Sequence, residues 1–125
     1  MHFDQRTQAA LRDAGLTTDD LESASEAIAD AVRSTAADLE AFFDDHDVVY
    51  SDVDQAHSSA EFPEHEVRHL DTYTHADALR GWLRFESWGA YVEDGRVLDD
   101  DLVELTLGPT VHDRVRFAPT RDRLR

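Results

Sequence analysis

The chain has 125 residues, of which 28 are acidic and 12 are arginine; lysine is absent and the formal charge is −16. With no cysteine it can form no disulfide, thiolate zinc site or thiol nucleophile, and no apolar run approaches the ~18 residues that a membrane span needs. Aspartate outnumbers glutamate, asparagine is missing and alanine is abundant, a balance suited to molar salt, where the Debye length shrinks to about 3 Å and self-repulsion fades.

At 14.2 kDa the chain fits one domain. A first helix is predicted from Gln5 to Ala14, with Asp4 as N-cap, Gly15 as a left-handed C-terminal residue and Leu16 closing over it. Phe3, Ala10, Leu11 and Ala14 would form its short apolar face. A second helix starts at Thr17 or Thr18, with Asp19 and Asp20 in the first turn, where the helix dipole favours acids. Leu21, Ala24, Ile28, Val32, Ala36, Leu39 and Phe43 then recur at helical spacing. This helix is expected to end near Asp44-Asp45-His46.

From Val48 the pattern is that of strands. Val48-Val49-Tyr50 opens the β-rich half. Trp82 to Val92 carries large apolar residues on both faces and reads as one central strand, with Gly89 as a bulge. Asp94-Gly95 between Val92 and Val97 predicts a two-residue hairpin. Leu102–Leu107 is a further strand, Gly108-Pro109-Thr110 a turn, and Val111, Val115 and Phe117 alternate with His112, Arg114 and Arg116 in a last strand. These elements make a single α+β domain: two N-terminal helices packed on an antiparallel sheet of four to six strands. Residues 1–46 form the helical part, 47–117 the β-rich part and 118–125 a frayed tail.

Three stretches could carry chemistry. His65-Glu66-Val67-Arg68-His69, followed by His75, resembles the zinc motif of the metzincin proteases. The resemblance implies zinc held by His65, His69 and His75, with Glu66 activating the bound water. It covers 11 residues; Thr72 stands where the pattern has glycine, and Met1 is the only methionine. Geometry decides the matter. On a helix His65 and His69 would lie about 5–6 Å apart and could share one ion. On a strand they stand roughly 13 Å apart on one face, beyond the reach of a single zinc. Pro63 and the stripe Val67, Leu70 and Tyr73 suit a helix, while Thr72-Tyr73-Thr74 and the surrounding strands favour β, which leaves surface or cross-strand histidines. With His46 and His57 also close to many acids, adventitious zinc or nickel binding is expected.

The joint Gly15–Leu21 has the look of a helix-turn-helix, but its second helix is acidic with Arg33 as its one base, unlike a recognition helix. Charge is divided along the chain: residues 13–67 hold 16 acids and one base, whereas residues 105–125 hold five arginines against Asp113 and Asp122. Arg114 and Arg116, interleaved with Phe117, suit salt bridges to an acidic surface better than nucleic acid. There is no phosphate-binding glycine pattern and no serine elbow.

Phe62-Pro63-Glu64-His65-Glu66-Val67-Arg68, Leu79-Arg80-Gly81-Trp82-Leu83-Arg84-Phe85 and the overall acidic character resemble a small, uncharacterised protein family of halophilic archaea; the resemblance implies a source and no mechanism. The N-terminus shows no signal pattern, so the cytoplasm is the expected compartment. The leading expectation is a non-catalytic domain without cofactor that binds a protein partner or itself. Trp82, Phe85, Trp88 and Tyr91 would form either the sheet core or an exposed association face, with Arg114 and Arg116 as further contacts. The alternatives are a small-molecule pocket between helices and curved sheet, and a zinc hydrolase.

Overall fold

The computed structural model describes residues 4–15, 17–53, 62–108 and 113–125. Phe3, Leu16, His57, Pro109, Thr110, Val111 and His112, to which the sequence assigned roles, lie outside them. Helix α1 spans Gln5–Asp13. The carboxylate of Asp4 accepts the Thr7 backbone N–H at 2.7 Å, and these bonds hold its pKa below the ordinary aspartate value. The helix stops where Gly15 takes φ 97°, a conformation that costs a glycine least. Helix α2 spans Thr18–Asp44 and opens with a reciprocal capping box: the Thr17 hydroxyl accepts from the Asp20 N–H, and the Asp20 carboxylate accepts from the Thr17 N–H.

Of the apolar stripe predicted for α2, Leu21, Ala36, Leu39 and Phe43 are buried, Ile28 and Val32 are half-buried, and Ala24 is exposed. Phe42, outside the predicted stripe, is buried too. The buried positions crowd toward the C-terminal turns because the sheet lies there. Ala36, Leu39, Phe42 and Phe43 join one apolar cluster with residues from all six strands.

The strands are β1 (Val48–Ser51), β2 (Glu64–His75), β3 (Ala78–Phe85), β4 (Gly89–Asp99), β5 (Leu102–Gly108) and β6 (Asp113–Ala118). Each pairs antiparallel with the next, and β6 returns to β1 through Tyr50↔Ala118 and Ser51↔Phe117, closing a barrel. The expected α+β class and antiparallel sheet are thus present, with the sheet shut on itself. No helix among the described residues is long and apolar enough to cross a membrane.

Three local expectations are corrected. Residues 82–92 are two strands, β3 and β4, joined by a tight turn in which the Phe85 N–H donates to the Trp88 carbonyl at 2.7 Å. The two apolar faces seen in the sequence belong to two strands, and Gly89 begins the second. Asp94-Gly95 is no hairpin: β4 runs on to Asp99 with an irregularity between Val92 and Asp94. A Cβ on Gly95 would meet Leu39 Cδ1 at 2.7 Å and Leu105 Cδ2 at 2.8 Å, so that glycine serves helix–strand contact and the chain turns at Asp100-Asp101. Finally, residues 118–125 are anchored. Ala118 ends β6, a 3-10 turn spans Arg121–Leu124, and Leu124 is buried.

The arginines of that tail bind the chain's own loops, not its acidic helix. Arg116 grips Asp52 with both its backbone N–H and its Nε, each at 2.7 Å, and reaches the Leu124 carbonyl. Arg123 clamps the β4–β5 turn through Asp99 at 2.7 Å and Asp101 at 2.5 Å, which holds the Asp99 carboxyl below its ordinary pKa. Arg121 lies over the Tyr50 ring at 4.5 Å and donates to the Phe62 carbonyl.

Candidate functional site

The histidine motif lies on β2 as strand, and its members are parted further than strand spacing alone requires. Between Val67 and His69 the β2–β3 register shifts. That irregularity reverses the alternation, so His65 is buried inside the barrel while His69 is exposed outside. The expectation that the two would share a face on a strand is overturned by this bulge. His75 is exposed at the far end of β2. Glu66 lines an open groove of about 350 Å³ with Asp47, Arg68 and Glu86. Among the described residues no three His, Cys, Asp or Glu groups converge to hold a metal.

His65 is instead a core residue with a polar partner. Its Nε2 lies 2.6 Å from Ser51 Oγ, which is fully buried. Its ring stacks on Phe85 at 4.7 Å and meets the edges of Trp88 and Phe117 at 5.4 and 6.2 Å. Burial lowers its pKa below the ordinary 6.5, against a smaller upward pull from the neighbouring Glu64. Folding therefore favours the neutral form. Above pH 6.5 its contribution is complete, and as pH falls below 6.5 the unfolded chain takes up a proton that the native ring refuses. Stability is lost from there down to the lowered native pKa, by at most about 1.4 kcal/mol per pH unit. Melting in molar KCl should therefore show a decline between pH 7 and 5 that His65→Gln flattens and His75→Gln leaves in place. An unchanged slope in His65→Gln would assign the decline to other groups.

The interior at this level is packed. Phe43 meets Phe117 at 5.4 Å and Phe85 at 6.5 Å between ring centroids, so α2 packs directly on β3 and β6 here, while a groove of about 290 Å³ lies between α2 and the β4–β5 end, lined by Phe42, His46, Val97 and Val103.

The aromatic residues proposed from sequence divide by strand parity. On β3, Leu79, Gly81, Leu83 and Phe85 point inward, and Arg80, Trp82 and Arg84 outward. Phe85 is thus core, available to no partner, and Trp88 packs partly buried against that core. Trp82 remains 54% exposed. Across the register it sits between Asp71 of β2 and Tyr91 of β4, while Tyr73 pairs with Arg80 and His69 with Arg84. Trp82 and Tyr91 meet edge to face at 5.6 Å. The Tyr73 and Tyr91 hydroxyls lie 3.1 Å apart, a bond that raises the Tyr91 pKa, and Tyr73 is 58% exposed. The sequence reading missed Tyr73, Asp71 and Arg80; the signal that would have found them is their common parity with Trp82, once the inward set Leu79, Leu83 and Phe85 is fixed.

A family model described as a family of unknown function (DUF7532) matches residues 1–122. The chain belongs to that family. No curated protein and no solved structure matches. Membership of DUF7532 supplies no chemistry, so the outer face must be read from its own groups. Arg68 pairs with Glu86, and Arg80 donates to the Leu79 and Glu93 carbonyls. The aromatic centre is therefore bordered by Arg68, Arg80 and Arg84 and by Asp71, Glu86 and Glu93, with Glu64 and Glu66 exposed at the other end of β2 and Asp94 exposed on β4. Arg114 is exposed on the other side of the barrel, paired in register with Thr106 of β5, and Arg116 is committed to Asp52. Neither adjoins the aromatic face.

Proposed function

We propose that this chain is a non-catalytic, high-salt domain that associates with a second copy of itself through the outer face of β2, β3 and β4. The observation that carries the reading is the pair of large aromatics, Tyr73 and Trp82, each more than half exposed and bridged by Tyr91. Exposed aromatic clusters mark association sites more often than chance exposure does, and Tyr and Trp dominate binding energy at interfaces.

Charge argues for the occupant. A second copy at −16 is repelled by most of this surface. Beside Trp82, Arg80 and Arg84 offset Asp71, and this is where a like-charged copy can approach. Salt then acts with a definite sign. Screening removes the net repulsion and leaves the apolar contact, so KCl strengthens association. A nucleic acid held by arginines would show the opposite dependence.

Light scattering and sedimentation in about 2 M KCl should show a concentration-dependent dimer. Trp82→Ala should weaken it at least 30-fold, as loss of a central aromatic costs about 2 kcal/mol or more. A monomer that persists to about 1 mM, the limit of a −4.1 kcal/mol interaction, overturns the reading.

A further inference from the structure

We infer that the two copies meet about a two-fold axis at Trp82, with Arg84 of each copy opposite Asp71 of the other. This rests on the self-association reading above and goes on to name the residues that set its register.

Leaving aside Glu64 and Glu66 at the other end of β2 and Asp94 further along β4, the other charges around Trp82 are already engaged. Arg68 holds Glu86. Arg80 is turned onto two backbone carbonyls, and Glu93 lies against Gly108, where an added Cβ would meet its carboxyl carbon. Two charges are left over. Arg84 is exposed, and among the described residues no carboxylate pairs with it. The Asp71 side chain is 80% exposed, and its contact is His69 at 3.3 Å, an ion pair only when that imidazole is protonated.

These two are neighbours of Trp82, one across the strand pair and one along its own strand. Asp71 is its direct cross-strand neighbour, and Arg84 is the next outward residue along β3. At Trp82 no strand can be added, since this residue is paired on both sides, with Asp71 of β2 and Tyr91 of β4. Contact must then be face to face, and in a two-fold contact residue i meets residue j twice. With the Trp82 rings stacked at the axis, a single rotation brings both leftover pairs together. Each pair loses water when the aromatic centre closes, which protects it from the screening that molar salt imposes on exposed charges.

The pairing is tested by charge reversal at exposed positions. Arg84→Glu leaves a face with two acids, and Asp71→Arg a face with two arginines, so each variant alone should dimerise at least 10-fold more weakly than the unmodified chain. An equimolar mixture of the two should form a heterodimer, because both pairs are restored between unlike copies. The double variant should regain the homodimer. Circular dichroism before mixing confirms that each variant is folded. Should the unmodified chain dimerise and Trp82→Ala disrupt it, while the single reversals keep full affinity or the mixture yields no heterodimer, the Arg84–Asp71 register is wrong and self-association stands. Should the unmodified chain stay monomeric, both fail together.

Discussion

Moving the protein from about 2 M to about 0.1 M KCl is expected to lower its melting temperature by roughly 10–25 °C. The cause is a charge of −16 on 125 residues with no lysine to offset it. Much of it is concentrated where neutralisation is slight: α2 carries Asp19, Asp20, Glu22, Glu26, Asp30 and Asp38, and its one base, Arg33, pairs with Asp30. At 0.1 M the Debye length of about 10 Å spans several turns of that helix, so its acids repel one another and the barrel; at 2 M the range falls below the spacing of neighbouring side chains. The difference is on the order of 3–5 kcal/mol for this many like charges at an effective dielectric near that of water. A domain of this size shifts by about 3–5 °C per kcal/mol, which gives the stated interval. Thermal scans by circular dichroism across a KCl series test it. A flat response would mean that the arginine clamps at Asp52, Asp99 and Asp101 neutralise the critical acids locally.

The helical half of this fold was legible because its signals are local. The Asp4 cap, the Thr17–Asp20 box, the glycine at 15 and the spacing Leu21, Ala36, Leu39, Phe43 each act within one or two turns of helix. The β half was legible as to class but not as to connection. Residues 82–92 look like one strand because Trp82 and Phe85 on β3, Trp88 in the turn and Tyr91 on β4 are all aromatic, and nothing in Glu86-Ser87 declares a turn as strongly as Gly or Pro would. Asp94-Gly95 is the reverse case, a strong hairpin signal that tertiary contact overrides: the position needs glycine because Leu39 and Leu105 close over it. Barrel closure could not be read at all, since it rests on the short β1 bonding to β2 on one side and β6 on the other.

The candidate site follows the same division. Strand periodicity told against the histidine motif, yet the register shift at Val67/His69 that sends His65 inward and His69 outward has no sequence mark. The aromatic face was half seen. Trp82 and Tyr91 were named, but they were grouped with Phe85 and Trp88 because the turn between β3 and β4 was missed. Once two strands replace one, parity sorts core from surface without further information.

That sorting predicts opposite outcomes for two aromatic truncations on one strand. Phe85→Ala should cost about 3–5 kcal/mol, or roughly 10–25 °C in melting temperature. The Phe85 ring stacks on His65, meets Trp88 at 4.9 Å and Phe117 at 5.8 Å, and faces Phe43 of α2. Its removal opens a void that four groups from α2, β2, β6 and the β3–β4 turn border, and none can collapse into it without breaking its other contacts. His65 suffers twice, since the lost stack admits water to a ring whose neutral form burial had enforced. Trp82→Ala, three residues earlier and facing out, should leave melting within about 2 °C and act on association alone, as surface substitutions away from packed features stay within about 0.5 kcal/mol. Urea unfolding in molar KCl, followed for both variants beside sedimentation, reads the two effects separately. Equal destabilisation by both would mean that Trp82 is part of the core, and would remove the basis for an association face on β2–β4.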